Sequence, residues 1–96
     1  MAAYVFAEME ITDPAPYEEY RKQVLAVVTK YGGKFIVRGG RVESKEGGWQ
    51  PKRVVALEFP SMEQALRWYD SPEYAPLIKL RQKASKGGKL IIVEGA

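Results

Sequence analysis

The stretch from Glu58 to Leu77, which reads EFPSMEQALRWYDSPEYAPL, constrains the fold more than any other part of the chain. It begins as the end of a strand, and Ser61 and Gln64 have the spacing of a capping box. This spacing predicts a helix that runs from there to about Tyr69. A proline-containing break follows the helix, and a second helical segment begins after the break.

The rest of the chain alternates between strand and helix patterns. Apolar residues occupy the odd positions from Tyr4 to Ile11, as in a strand with one buried face. The predicted elements are a strand over 4–11, a helix that ends at Gly32-Gly33, a strand over 34–42 with a bulge at Gly39-Gly40, a strand over 53–59, helical segments over 61–69 and 71–84, a turn at 86–88 and a strand over 89–94. This βαββαβ order predicts one α+β domain over residues 1–96. Its fold is the ferredoxin-like sandwich, with a four-stranded antiparallel sheet and helices on one face.

The composition excludes several kinds of site. The chain has 96 residues and contains no cysteine and no histidine, so it lacks thiolate nucleophiles, the usual general base and the commonest metal ligands. We therefore predict no metal site and no cofactor. The formal net charge of +3 is spread along the chain, which predicts no nucleic-acid partner. No segment approaches the roughly 20 apolar residues that span a membrane, and no export signal is evident, so we expect a cytoplasmic protein with no membrane partner.

Both faces of the predicted sheet carry apolar residues. The odd positions of the first and third strands, which include Val55, Leu57 and Phe59, are predicted to face the helices. The opposite face also carries large apolar side chains, at Tyr4, Phe6, Ile36, Val54 and Ala56. An exposed apolar surface of this size is typical of an interface, so we predict a homodimer with the two sheets packed face to face. A semi-polar monomer surface is the alternative.

An ion pair is predicted on that outer face. If the hairpin between the second and third strands is centred near Gly48, Arg38 lies opposite Glu58. Charged groups at an interface that excludes water need partners, which favours a cross-strand pair between these two residues. A bulge at Gly39-Gly40 would shift the register.

Several motifs in order resemble one known family. They are Tyr31-Gly32-Gly33-Lys34-Phe35, Val37-Arg38-Gly39-Gly40, Trp49-Gln50-Pro51-Lys52-Arg53, Glu58-Phe59-Pro60-Ser61 and Trp68-Tyr69-Asp70-Ser71-Pro72-Glu73-Tyr74, followed by Arg81. Over essentially its whole length the chain is similar to the domain-of-unknown-function family DUF1330, in the dimeric α+β barrel superfamily. The resemblance implies a ferredoxin-like fold and a dimer formed through the sheets.

The resemblance implies no settled activity. Relatives in the superfamily include cofactor-independent monooxygenases, lactone isomerases and haem-binding enzymes, with ligands commonly held between sheet and helices. Haem binding is the least expected of these, because the usual proximal histidine and cysteine are absent.

Five residues are candidates for a ligand site. Trp68, Tyr69 and Tyr74 are candidates for the wall of a cavity, with core packing as the alternative. Arg38 and Arg81 are candidates for anchoring a carboxylate or phenolate, because a guanidinium group binds such groups through two hydrogen bonds. The alternatives are the ion pair for Arg38 and a surface position for Arg81.

These observations lead to two hypotheses about function. In the first, a cytoplasmic homodimer binds a small organic molecule, aromatic or acidic, between sheet and helices, and any reaction is a cofactor-independent oxidation or isomerisation. In the second, the dimer is a non-catalytic ligand-binding or regulatory module. The sequence identifies no catalytic residue and does not decide between them.

Overall fold

The computed structural model describes all 96 residues, with four strands and three helices. The elements are β1 (Ala3–Ile11), α1 (Pro14–Lys30), β2 (Lys34–Arg38), β3 (Arg53–Phe59), α2 (Met62–Tyr69), α3 (Ala75–Ala84) and β4 (Ser85–Glu94). The strand order in the sheet is β2-β3-β1-β4, and every neighbouring pair is antiparallel. The predicted ferredoxin-like fold is therefore confirmed. None of the three helices has the length and apolar character that crossing a bilayer requires.

The core lies between the helices and one face of the sheet. Val5 pairs with Leu57 on one side and with Ile92 on the other, so these three side chains point to the same face. Helix α1 covers this face with residues at helical spacing, namely Tyr17, Tyr20, Val24 and Val28. The predicted odd-position core of β1 and β3 is confirmed.

Two serines set the ends of the helices after β3. The Ser61 hydroxyl accepts a hydrogen bond of 3.2 Å from the Gln64 amide, which confirms the predicted cap of α2. The Gln64 side chain donates to the Tyr31 carbonyl at the end of α1, 3.2 Å away. Buried Ser71 donates to the Trp68 carbonyl and accepts from the Tyr74 amide. These bonds end α2 and position the start of α3.

Two strand predictions were wrong, and in both strands one extra residue disturbs the pairing. Strand β2 ends at Arg38 rather than at residue 42, and its bulge is at Ile36 rather than at Gly39-Gly40. Strand β4 starts at Ser85 and includes the segment predicted as a turn. There, Gly87 and Gly88 together face the single residue between Glu8 and Glu10 on β1.

The bulge at Ile36 decides which face Arg38 occupies. Beyond it, Arg38 lies opposite Val55 on the helix side, and Glu58 lies opposite Lys34 on the outer face. Glu58 accepts hydrogen bonds of 3.1 Å from both Lys34 and the Tyr4 hydroxyl, and these bonds lower its pKa. The predicted Arg38–Glu58 ion pair is therefore wrong, because the strand register places Lys34 opposite Glu58 and the extra residue turns Arg38 to the other face.

An apolar row crosses the outer face of the sheet. Val37 pairs with Ala56, Ala56 with Phe6, and Phe6 with Ile91, so one row spans all four strands. We call these four residues the outer row. Phe6 and Val37 are each 42% exposed and Ile91 is 58% exposed. No helix covers this row in the single chain.

Candidate functional site

A cavity lies between the helices and the sheet. Its open volume is about 30 Å³, which is room for about two water molecules. Apolar side chains from all four strands and α1 form much of its wall, among them Val5, Val24, Phe35, Leu57 and Leu90. The polar groups in the wall are tyrosines, a tryptophan and arginines, and no aspartate or glutamate lines the cavity.

Two tyrosines and an arginine form a hydrogen-bonded chain in the wall. The hydroxyl oxygens of Tyr20 and Tyr74 are 2.8 Å apart, and Arg81 Nη1 donates to the Tyr74 hydroxyl at 3.1 Å. Burial raises the pKa of both phenols, so both are protonated at neutral pH. Their shared bond uses one of the two hydroxyl protons, and the other can be donated to a further acceptor.

A second arginine enters the cavity from β3. Arg53 Nε donates a hydrogen bond of 2.9 Å to the Tyr17 hydroxyl, and its guanidinium carbon lies 5.3 Å from the centre of the Tyr17 ring. The guanidinium group passes directly over Gly39, where a Cβ atom would lie 2.0 Å from Arg53 Nη1. Gly39 also has a φ of +75°, so a side chain is doubly unfavourable there. The backbone of Gly39 thus makes room for Arg53.

The arginines of the cavity are poorly matched with acids. Arg38, Arg53 and Arg81 have no carboxylate within 4.0 Å. The guanidinium group of exposed Arg38 instead lies 4.4 Å from the centre of the Phe35 ring. The fourth arginine, Arg21, is exposed and bonds to Glu18 at 3.3 Å. Three cationic side chains thus line one cavity without a counter-charge in the chain.

Trp68 carries an unpaired donor in the same wall. The side chain is 1% exposed, and its Nε1–H has no hydrogen-bond partner in the protein. The ring packs on Tyr74 and Phe59, with centroid distances of 4.3 and 5.4 Å. A buried donor without an acceptor is rare in proteins and requires an explanation.

The comparisons with known proteins identify the family. A family model described as "Domain of unknown function (DUF1330)" matches residues 2–96. The chain belongs to the DUF1330 family. No curated protein matches the chain significantly.

Solved structures that resemble this DUF1330 chain share its fold. The RPA0582 protein of unknown function from Rhodopseudomonas palustris is 19% identical, with a TM-score of 0.73 over 99% of this chain and 82% of that one. SnoaB from Streptomyces nogalater, described as a cofactor-independent oxygenase, is 11% identical with a TM-score of 0.67, over 99% and 93%. A dimeric ferredoxin-like protein of unknown function from Thermobifida fusca is 12% identical with a TM-score of 0.56, over 99% and 92%.

The structure brings most of the predicted site residues together. Arg38, Trp68, Tyr74 and Arg81 all line the cavity, and a role for them in binding a ligand stays a prediction. Tyr69 does not line it. Its half-buried ring packs edge-on against Trp68 and Tyr74, because adjacent residues on a helix point in different directions.

Four polar residues of the cavity wall were not predicted from the sequence, namely Arg53, Tyr17, Tyr20 and the exposed Arg21. Arg53 had a usable signal, because it continues the odd-position series Val55, Leu57 and Phe59 as the one charged member. A charged residue at the end of a core-facing series indicates a polar site in the core. The two tyrosines had no separate signal, since aromatic residues at helical spacing are typical of ordinary packing.

Proposed function

We propose that this DUF1330 chain binds a small organic molecule in the cavity between sheet and helices, and that it does so as a homodimer. The observation that carries the first part is the unpaired Nε1–H of Trp68, a residue that lines the cavity. More than nine in ten buried polar groups have a partner, so an acceptor from outside the chain is expected at this position. The spare proton of the Tyr20–Tyr74 pair is a second donor without an acceptor.

Entry of a ligand requires a side chain to move. The open volume of about 30 Å³ is smaller than an organic molecule. Arg38 is exposed and has no ion pair, so its displacement breaks no salt bridge. Arg38 can therefore move away from the cavity without the loss of an ion pair.

The cavity is better suited to binding than to acid–base catalysis. It contains no carboxylate or histidine, and the raised pKa of Tyr20 and Tyr74 removes them as bases. Its contribution is positioning and hydrogen-bond donation. Cofactor-independent oxidation or isomerisation of a substrate with its own acidic centre is a second candidate, supported by the fold shared with SnoaB. A chemically altered bound molecule after incubation in air favours the enzyme, and an unchanged one favours the binding module.

The outer row supports the dimer. Phe6, Val37 and Ile91 are exposed in the single chain, and two sheets packed face to face would bury them. The two acids that flank the row are already paired, Glu58 with Lys34 and Glu8 with Lys89. A second copy can therefore cover the row without leaving either carboxylate unpaired.

The two tryptophans allow a test of binding with an internal control. Trp68 lines the cavity, whereas Trp49 donates to Glu8 from the outer side of the sheet, at 3.0 Å. The indole ¹H–¹⁵N signals are recorded while 4-hydroxybenzoate, isobutyrate and the corresponding two amides are titrated in. We expect at least one probe to shift the Trp68 signal saturably and to leave the Trp49 signal in place. The proposal is wrong if no probe shifts it and the natively purified protein releases no small molecule on denaturation.

A further inference from the structure

The cavity carries an excess of positive charge that the chain does not balance. All but one of the ion pairs in the structure lie away from the cavity. Their cationic partners are lysines or the arginines Arg41 and Arg67, none of which is a cavity arginine. The exception joins Arg21 to Glu18 on the exposed side of α1. Arg53 and Arg81 are half-buried and keep no acid within 4.0 Å. Partial burial of a charge is costly unless an opposite charge is supplied.

Hydrogen bonds hold these two guanidinium groups in place but do not saturate them. Arg53 uses Nε for the Tyr17 hydroxyl, and Arg81 uses Nη1 for the Tyr74 hydroxyl. A guanidinium group has five N–H donors, so most donors of each arginine are left for another acceptor. The two groups reach the cavity from different elements, Arg53 from β3 and Arg81 from α3. A fixed group with spare donors is suited to a planar anion with two oxygens.

The rest of the wall favours an organic anion over an inorganic one. The wall includes Val5, Val24 and Leu57. Their side chains form no hydrogen bond with a ligand, so they can stabilise a complex only by burying apolar surface of the ligand. We infer that the ligand of this cavity is an organic carboxylate whose charged group is held by Arg53 and Arg81, with Arg38 at the opening. This inference rests on the proposed function and adds the chemical class of the ligand.

Comparison of each acid with its amide tests whether the cavity requires a negative charge on the ligand. In the wild-type protein, dissociation constants for 4-hydroxybenzoate and isobutyrate are measured from the Trp68 signal and compared with those of the two amides. We expect each carboxylate to bind about 10- to 100-fold more tightly, as hydrogen bonds between charged groups allow. Equal affinities for acid and amide overturn the inference but leave the proposed function intact. Failure of all four probes, with no molecule released from the purified protein, defeats the proposed function itself.

Inorganic phosphate tests the role of the apolar wall. If the wall contributes, isobutyrate binds more tightly than phosphate under the same ionic strength. Phosphate binding with equal or higher affinity indicates a general anion site and overturns the assignment of an organic ligand.

Neutral substitutions test the two arginines. Arg53→Gln and Arg81→Gln should each weaken carboxylate binding about tenfold and change amide binding little. Arg67→Gln is the matched control, because Arg67 is exposed on α2 and lies 4.0 Å from Glu63, outside the cavity. An equal loss in the control shows an effect of net charge alone and overturns the assignment. If a variant does not fold, the acid–amide comparison in the wild-type protein still decides the inference.

Discussion

The hydroxyl groups of Tyr20 and Tyr74 lie 2.8 Å apart and share a hydrogen bond inside the protein. Tyr20 belongs to α1 and Tyr74 immediately precedes α3, so this bond joins two helices that pack side by side. Arg81 donates to the same Tyr74 hydroxyl. One oxygen atom therefore serves both the packing of the helices and the placement of a cavity arginine.

Removal of that oxygen should destabilise the protein. In Tyr74→Phe, the Tyr20 hydroxyl and Arg81 each lose a partner while the ring remains. We expect the free energy of unfolding in urea to fall by about 1–3 kcal/mol, the cost of unsatisfied buried polar groups. Tyr69→Phe is the matched control, since no hydrogen bond to the Tyr69 hydroxyl is formed, and it should change stability by less than about 0.5 kcal/mol. Equal losses in the two variants would contradict this account.

A charge in the outer row should separate the proposed dimer. Phe6→Lys places an ammonium group in the middle of the row, where a second copy would bury it without a partner. We expect the dissociation constant of the dimer to rise by about 100-fold or more, because an uncompensated buried charge costs several kcal/mol. Size-exclusion chromatography with light scattering measures this.

The matched control for the dimer is Leu66→Lys. Leu66 is also apolar and is 46% exposed, but it lies on α2, on the other side of the sheet from the outer row. This variant should remain as dimeric as the wild type. A wild-type protein that is monomeric at micromolar concentration would rule out the dimer.

The patterns that predicted the fold depend on local properties of the chain. The period of two in β1 and the helical spacing in α1 report which side chains are buried, and these patterns can be recognised without knowing which residues pair across the sheet. The cap at Ser61 is likewise decided within one turn of helix. For this reason the elements and their order were predictable from the sequence.

The position of Arg38 depends on a single inserted residue that no local pattern marks. Because side chains alternate along a strand, one extra residue at Ile36 moves all later side chains to the opposite face. The glycine pair nearby was the natural place to expect the bulge. The structure instead uses Gly39 to accommodate Arg53, a contact between distant parts of the chain that sequence spacing does not reveal.

The contact of Glu73 with the end of α1 should make the free energy of unfolding depend on pH. Lys30 forms an ion pair with Glu73, and the Tyr31 hydroxyl donates to it at 2.8 Å; these contacts lower the pKa of Glu73 to about 2. In the unfolded chain a glutamate has a pKa of about 4.3. The folded state therefore binds the proton less tightly, so the stabilisation is complete above about pH 4.3 and is lost as the pH falls toward 2.

Unfolding measured between pH 6 and pH 2.5 tests the role of Glu73. The wild type should lose more stability over this range than Glu73→Gln, which cannot titrate at that position. Glu63→Gln removes an exposed carboxylate on α2 and should follow the wild-type profile. Parallel profiles for wild type and Glu73→Gln would show that the contact contributes nothing.

Gly33 occupies a position at which the core leaves no room for a side chain. A Cβ atom there would lie 2.6 Å from two carbon atoms of the Phe59 ring and 2.9 Å from Val28 Cγ1. Phe59 and Val28 are both fully buried, so neither can move aside without disturbing its neighbours. We expect Gly33→Ala to lower the free energy of unfolding by about 1–3 kcal/mol through overpacking.

Gly40→Ala is the matched control, because a Cβ atom at Gly40 meets no other atom within 4 Å and its φ is not positive. This control should be neutral or stabilising by up to about 1 kcal/mol, since alanine restricts the unfolded chain. Urea unfolding of the two variants measures the difference, and equal stabilities would show that the region around Phe59 and Val28 can relax.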